Sequence, residues 1–217
     1  MSRANQREQQ IIETAAAIFC QNGFHATTLE EIARALGMRK ASLYYYVRTK
    51  DDLLMFILKR GMQLIIEELQ AICATDAGPA EKLRRAVENH IQAMDKRWNL
   101  MGIVTQEQRA VASQHRAAYI AMRHTYEGLL RTIISEGIDC GAFRQCDSVA
   151  VTRAILGMCN WLAIWYRPGG RLSPVELAAE FTGLILGGLA NGDLDAVGKS
   201  LAPVLAASGS ELLDTAR

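Results

Sequence analysis

A chain of 217 residues with a formal charge of +1 fits one large domain or two unequal ones, and its 50% hydrophobic and 22% charged content excludes disorder as a global description. The uncharged apolar run over residues 154 to 166 has 13 residues, against the roughly 18 that a spanning helix needs, so no membrane partner is expected. The first ten residues are polar and carry no apolar stretch of the secretory kind, which predicts a cytoplasmic protein. Residues 1 to 60 hold nine basic and six acidic side chains and the remainder is net −2, which points any nucleic-acid footprint to the N-terminus. Five cysteines, Cys20, Cys73, Cys140, Cys146 and Cys159, are odd in number and never spaced C-x-x-C. Neither a disulfide framework nor a zinc ribbon is expected of them.

Apolar residues recur at helical spacing along the chain and alternating β-branched runs are absent, so the fold class is all-α. The first helix is predicted over about residues 6 to 21, with Ile11, Ala15, Ile18 and Phe19 on one stripe and Gly23 as its left-handed cap. Thr28-Leu29-Glu30-Glu31 reads as a capping box opening a short second helix with Leu29, Ile32, Ala33 and Leu36 inside. Gly37 sits where a tight turn needs a positive φ, and a third helix is predicted over about 39 to 47. Thr49 caps a long fourth helix that runs to about residue 73, with Asp51 and Asp52 in the first turn. Further helices are expected near 80–96, 98–112, 114–137, 147–166 and 173–190, the last opened by the capping box Ser173-Pro174-Val175-Glu176. The Gly-, Ala- and Ser-rich tail from Asn191 is expected to hold a short helix near 194–205. About nine main helices thus divide into a three-helix N-terminal domain over 1–48 and a helical domain over 49–217.

A short helix, a glycine turn and a second short helix packed on a longer one have the layout of a helix-turn-helix, whose second short helix enters the major groove. On the third helix Leu43, Tyr46 and Val47 share one side and Ala41 and Tyr45 the other, flanked by Lys40, Ser42 and Tyr44. A small residue at the outward centre allows close approach to base edges, and hydroxyls and cations around it suit phosphate oxygens. An ordinary helical hairpin with an aromatic cluster fits the same spacing, because such patterns are degenerate.

The run from Thr27 to Ala33, followed by Leu36-Gly37-Met38-Arg39-Lys40-Ala41-Ser42-Leu43-Tyr44-Tyr45-Tyr46-Val47-Arg48-Thr49-Lys50-Asp51-Asp52-Leu53-Leu54, closely resembles the DNA-binding signature of the tetracycline-repressor (TetR) family of bacterial transcription regulators. The resemblance implies that Thr28 contacts phosphate and that Lys40, Ala41, Ser42, Tyr44 and Tyr45 face the groove. It also implies that Lys50 binds phosphate, which a cation at a helix N-terminus would favour. Arg39 departs from the small capping residue of many members; it cannot cap but can reach guanine or phosphate.

For the second domain the resemblance implies dimerisation and a small-molecule pocket whose occupancy moves the fourth helix. The last two helices look like the dimer-forming pair, with Gly183, Leu186 and Gly187 at the interface. Two recognition helices would then meet half-sites about 34 Å apart in double-stranded operator DNA. Candidate effector-binding residues are polar or aromatic residues on apolar helix faces: Trp98, Arg109, Tyr119, Met122, Arg123, Tyr126, Met158, Asn160, Trp161 and Trp165, with His90 and Met101 beside them. The stretch from Gly157 to Pro174 is similar to regulators of lipid or sterol catabolism that sense acyl-coenzyme A, for which Arg109, Arg123 and Arg153 would anchor phosphates. The rival readings are a constitutive DNA-binding protein without an effector and an efflux regulator sensing aromatic or drug-like ligands. No catalytic residue, metal site or cofactor is expected: His115 and His124 lie nine apart, and neither a carboxylate pair nor a nucleophile elbow accompanies them.

Overall fold

The computed structural model describes residues 3–96, 98–106, 110–167 and 169–190. Among them nine helices and no strand are found: α1 Arg3–Asn22, α2 Leu29–Ala35, α3 Lys40–Leu43, α4 Lys50–Cys73, α5 Pro79–Lys96, α6 Trp98–Gln106, α7 Ser113–Asp139, α8 Ser148–Trp165 and α9 Pro174–Leu189. Gly23 and Gly37 have φ of 80° and 62°, so each ends a helix in the conformation that glycine adopts without steric cost. The capping boxes of Thr28, Thr49 and Ser173 all close in both directions. The third helix is shorter than expected. After Leu43 the chain continues as a helical turn, with Tyr46 N–H donating to the Leu43 carbonyl three residues back. The helix expected near 194–205 lies outside the described residues.

The N-terminal unit closes around Ile11, Ala15 and Phe19 of α1, Ile32 and Ala33 of α2, and Leu43 and Val47, all buried. The first turns of α4 complete that core, since Leu53 and Leu54 are almost fully covered. Farther along, α4 packs on α5, α6 and α7, and α5 in turn receives α9 along its length. The α7–α8 connection ties down the end of α9: Arg144 donates from its backbone N–H to the Leu189 carbonyl and from Nε to that of Gly188. Asp147 caps α8 by accepting from the Val149 and Ala150 amides. By length and composition α8 is apolar enough to cross a bilayer. Here it packs on α5, α6 and α7 and leaves an apolar side uncovered.

Two glycines mark the close approach of α6 to its neighbours α1 and α4. A Cβ on Gly61 of α4 would stand 2.6 Å from Cγ2 of Val104 on α6, and one on Gly102 of α6 would meet Cys20 Sγ of α1 at 3.0 Å. Because valine is stiff at χ1 and Val104 is buried, the first contact cannot be relieved by a simple swing. Gly61→Ala should therefore lose about 1 to 3 kcal/mol to overpacking. Gly128→Ala on α7, where an added Cβ meets nothing within 4 Å, should gain about 0.5 to 1 kcal/mol from reduced unfolded-state freedom. Urea unfolding of the two variants checks the opposite signs.

Candidate functional site

On the N-terminal unit, burial of Leu43 and Val47 leaves Lys40, Ala41, Ser42, Tyr44, Tyr45 and Tyr46 exposed together, with Tyr45 at 88%. Tyr46 is less inward than its helical phase suggests, because its ring leans edge-on against Tyr45 with centroids 5.5 Å apart. Arg39 occupies the N-cap position of α3 and makes no side-chain capping bond, which leaves an exposed cation at the leading edge of this surface. Lys40 pairs loosely with Glu30 of α2 at 3.8 Å. Thr28 spends its hydroxyl on the α2 cap, accepting from the Glu31 amide and donating to Glu31 Oε2 at 3.0 Å. That bond, with the Thr28 amide, holds the Glu31 carboxyl below its ordinary range.

Lys50 stands differently from its expectation as a phosphate anchor. Its Nζ donates to the carbonyls of Phe24, His25 and Thr27 at 2.8, 3.0 and 2.9 Å and lies 4.6 Å from the Phe24 ring centroid. An ammonium has three protons, and all three are engaged. Lys50 thus fastens the α1–α2 loop to the start of α4. Two residues on, Asp52 serves the Thr49 cap and also faces His115 of α7, with Oδ1 and Nε2 3.0 Å apart. Hydrogen bonding from Thr49, then from His115, keeps this carboxylate below its usual range. One helical turn therefore holds both the N-terminal unit and the bundle behind it.

That bundle contains a cavity of about 1320 Å³, open to the surface. Buried residues of four helices form its floor: Met62 and Ile65 of α4, His90 of α5, Met101 and Val104 of α6, and Tyr119 and Tyr126 of α7. Its mouth lies between α7 and α8, where Arg123, His124, Arg153, Trp161, Ile164 and Arg167 are exposed. Arg153 is paired with Glu127 at 3.2 Å, and Arg167 donates to the Tyr166 carbonyl at 2.8 Å. Apolar floor and cationic rim together fit an amphipathic anion.

Of the residues expected in such a pocket, Tyr119, Arg123, Tyr126, Asn160 and Trp161 line it, together with His90, Met101 and Arg153. Met122, Met158 and Trp165 do not line it: the two methionines are half-buried against the core, and Trp165 faces outward at 47% exposure. Arg109 and the side chain of Trp98 lie outside the described residues. Sequence reasoning missed Met62, Ile65, Val104, Ile120, Leu156, Ala163, Ile164 and Arg167. On α8 the signal was a stripe at 153, 156, 157, 160, 161 and 164, a repeat of three and four that fits one helical face. Cys20 and Gln21 of α1 also border the cavity, so it reaches the N-terminal unit itself.

At the floor the His90 Nδ1 and the Tyr126 hydroxyl lie 3.0 Å apart. His90 Nε2 is buried without a hydrogen-bond partner among the described residues. Burial pushes the His90 pKa down to about 4; the Asn160 side chain approaches it and offsets part of this without completing a bond of good geometry. Burial likewise raises the Tyr126 phenol, so the pair is neutral at physiological pH. Tyr119 donates to the Val104 carbonyl at 2.9 Å and pins α7 to α6 beside the cavity.

On the far side of the bundle, Gly183 and Gly187 of α9 are exposed, and a Cβ on either would meet nothing within 4 Å. Leu186 is half-buried against the chain's own core, and Leu184, 68% exposed, shares the outer face with the two glycines. The phase of the helix separates 186 from that face, because 183, 184 and 187 span only about 100°.

Residues 11–55 match the model described as bacterial regulatory proteins, tetR family, and residues 76–189 the model described as tetracyclin repressor-like, C-terminal domain. The chain is 27% identical over 189 residues to the HTH-type transcriptional repressor KstR2 of Mycobacterium tuberculosis, which covers 86% of this chain and 94% of that relative. Among solved structures it is similar to the TetR family transcriptional regulator PfmR from Thermus thermophilus, with a TM-score of 0.78, 31% identity, and coverage of 83% of this chain and 99% of that one. It is also similar to AibR in complex with isovaleryl coenzyme A and operator DNA, with a TM-score of 0.76, 31% identity, and coverage of 82% and 97%.

The depressed His90 pKa has a defined thermodynamic sign. The unfolded chain, with histidine near its ordinary value of 6.5, takes up this proton before the folded chain does near 4. Stability is therefore full above about pH 6.5 and falls as the pH drops toward 4. At pH 5 the loss through this group is about 2 kcal/mol. The stability difference between wild type and His90→Gln should shift by about that amount between pH 7.5 and pH 5 in urea titrations. A difference that stays constant would remove the buried, neutral histidine from the account.

Proposed function

Because the chain belongs to the tetR family of bacterial regulatory proteins, we propose that it is a cytoplasmic, non-enzymatic homodimeric repressor whose hold on operator DNA is released by a coenzyme A thioester. The cavity carries this reading, with an apolar floor for an acyl group and Arg123, Arg153 and Arg167 at the mouth for phosphates. The relative solved with isovaleryl coenzyme A and operator DNA supports it. Constitutive binding would suit a second domain packed solid, and about 1320 Å³ of open space opposes that. A drug-like aromatic ligand has no use for a cationic rim.

The exposed surface of Arg39, Lys40, Ala41, Ser42, Tyr44 and Tyr45 would read the groove, with Thr28 and the flanking cations on the phosphates. Lys50 supports it as a brace: without its three bonds the α1–α2 loop, and with it Thr28, would lose its place. The dimer would close on the outer faces of α8 and α9, where Trp161, Ile164, Trp165 and Leu184 are large exposed apolar side chains that a partner helix would cover. Gly183 and Gly187 would let the partner helix approach closely.

Two measurements test this reading. With an operator selected from random duplex DNA, saturating hexanoyl-coenzyme A should weaken operator affinity by roughly 5- to 150-fold, and operator should weaken the thioester by the same factor. Equal thioester affinity with and without operator would overturn it. Gly187→Leu should weaken dimerisation by about 1 to 3 kcal/mol through overpacking, read by sedimentation, and an unchanged dimer would move the interface elsewhere.

A further inference from the structure

The floor of the cavity is apolar except at Tyr119, whose hydroxyl is spent on the Val104 carbonyl, and at one further place. Met62, Ile65, Met101 and Val104 offer no side-chain oxygen or nitrogen, and His90 and Tyr126 stand among them, 5% and 7% exposed. A residue needed only to fill this space could be leucine or phenylalanine, with no polar group to desolvate.

The pair also has a defined proton arrangement. The Tyr126 hydroxyl bonds only to His90 Nδ1 among the described residues. A neutral phenol donates well and a neutral imidazole accepts at one nitrogen, so Tyr126 O–H donates to Nδ1 and the imidazole proton resides on Nε2. His90 lines the cavity floor, and its Nε2 is covered; the Asn160 side chain approaches it without completing a bond, so that N–H has no hydrogen-bond partner among the described residues. Behind the pair is a pocket of only about 10 Å³, lined by Ala86, Val87, Leu130, Ile155, Leu156 and Cys159. It is marginal in size for one water and has too few polar walls to hold it. An acceptor must therefore come from the cavity side.

We propose that His90 is a specificity-determining residue whose Nε2–H donates to an oxygen on the acyl portion of the effector, with Tyr126 fixing the tautomer that makes this possible. The inference rests on the thioester reading above and narrows it: the preferred effector presents a carbonyl oxygen at the cavity floor, either that of the thioester or a further keto oxygen along the acyl chain. A bare hydrocarbon there leaves a buried donor unpaired, which a site built around that donor rejects.

The test uses the full chain and three ligands of equal acyl length, titrated by quenching of tryptophan fluorescence, since Trp161 borders the cavity. S-hexyl-coenzyme A has no carbonyl, hexanoyl-coenzyme A has the thioester carbonyl, and 3-oxohexanoyl-coenzyme A has both. In the wild type, one of the two added oxygens should tighten binding by roughly tenfold or more, and the step at which this occurs names the oxygen. His90→Phe should abolish that step while still binding S-hexyl-coenzyme A. Tyr126→Phe, nearly isosteric and expected to fold, should shrink it because Nδ1 can then carry the proton. Equal affinities for all three ligands in the wild type, or a step that survives in His90→Phe, overturns the inference and leaves the thioester reading standing. Should His90→Phe fail to fold, an undiminished step in Tyr126→Phe overturns it. Failure of all three ligands to bind a chain that still binds operator overturns the thioester reading and this inference with it.

Discussion

The structure depends on one helix being shared. Over its 24 residues α4 supplies core to two units: Leu53 and Leu54 close the DNA-facing core, while Met62 and Ile65 face the cavity. A helix of that length spans about 36 Å and does not bend without an identifiable cause. Among the described residues α4 contains no proline, and Gly61 is packed so tightly on Val104 that it cannot act as a loose joint. Whatever displaces the middle of α4 must therefore be felt at its first turn. That turn holds the α1–α2 loop through the three bonds of Lys50 and meets α7 through Asp52 and His115.

A second path runs beside the first. Helix α6 forms one wall of the cavity through Met101 and Val104 and also lies against α1, where Cys20 Sγ contacts the Asn99 carbonyl at 3.4 Å. Gly102 at that crossing and Gly61 at the α4 crossing both replace a side chain with contact. Interiors packed at this density pass on small shifts because no slack absorbs them. A ligand pressing on α6 would thus displace the DNA-facing unit directly as well as through α4, and both contacts would bias the same two-state element.

Much of the frame was legible in the sequence because its signals are local. The capping boxes at Thr28, Thr49 and Ser173, and the positive φ at Gly23 and Gly37, depend on residues within a turn of one another. The exposed side of α3 was legible for the same reason, since burial of Leu43 and Val47 dictates what faces out. The cavity was legible only in part. Tyr119 and Tyr126 stood out as polar aromatics on an apolar helix, but Met62, Ile65 and Val104 look like any core residue until four helices are assembled around them. Lys50 shows the same limit. Its position at a helix N-terminus suggested an anion, whereas three carbonyls that converge from residues 24 to 27 can be seen only in the fold.

The cavity also accounts for a cost that the fold would otherwise carry without return. Opening about 1320 Å³ in a bundle of this size forfeits packing contacts along every wall. Keeping a histidine and a tyrosine at its floor adds a desolvation penalty that a leucine and a phenylalanine would not incur. Both costs fall on the folded state alone, and both are relieved by a ligand that fills the volume and meets the buried Nε2–H. Relief of that kind is differential affinity: it favours the arrangement of α4, α6 and α7 that closes best on the ligand, and any other arrangement is disfavoured by the same amount. The cavity is therefore placed where a small molecule can exert leverage on the helix that both units share.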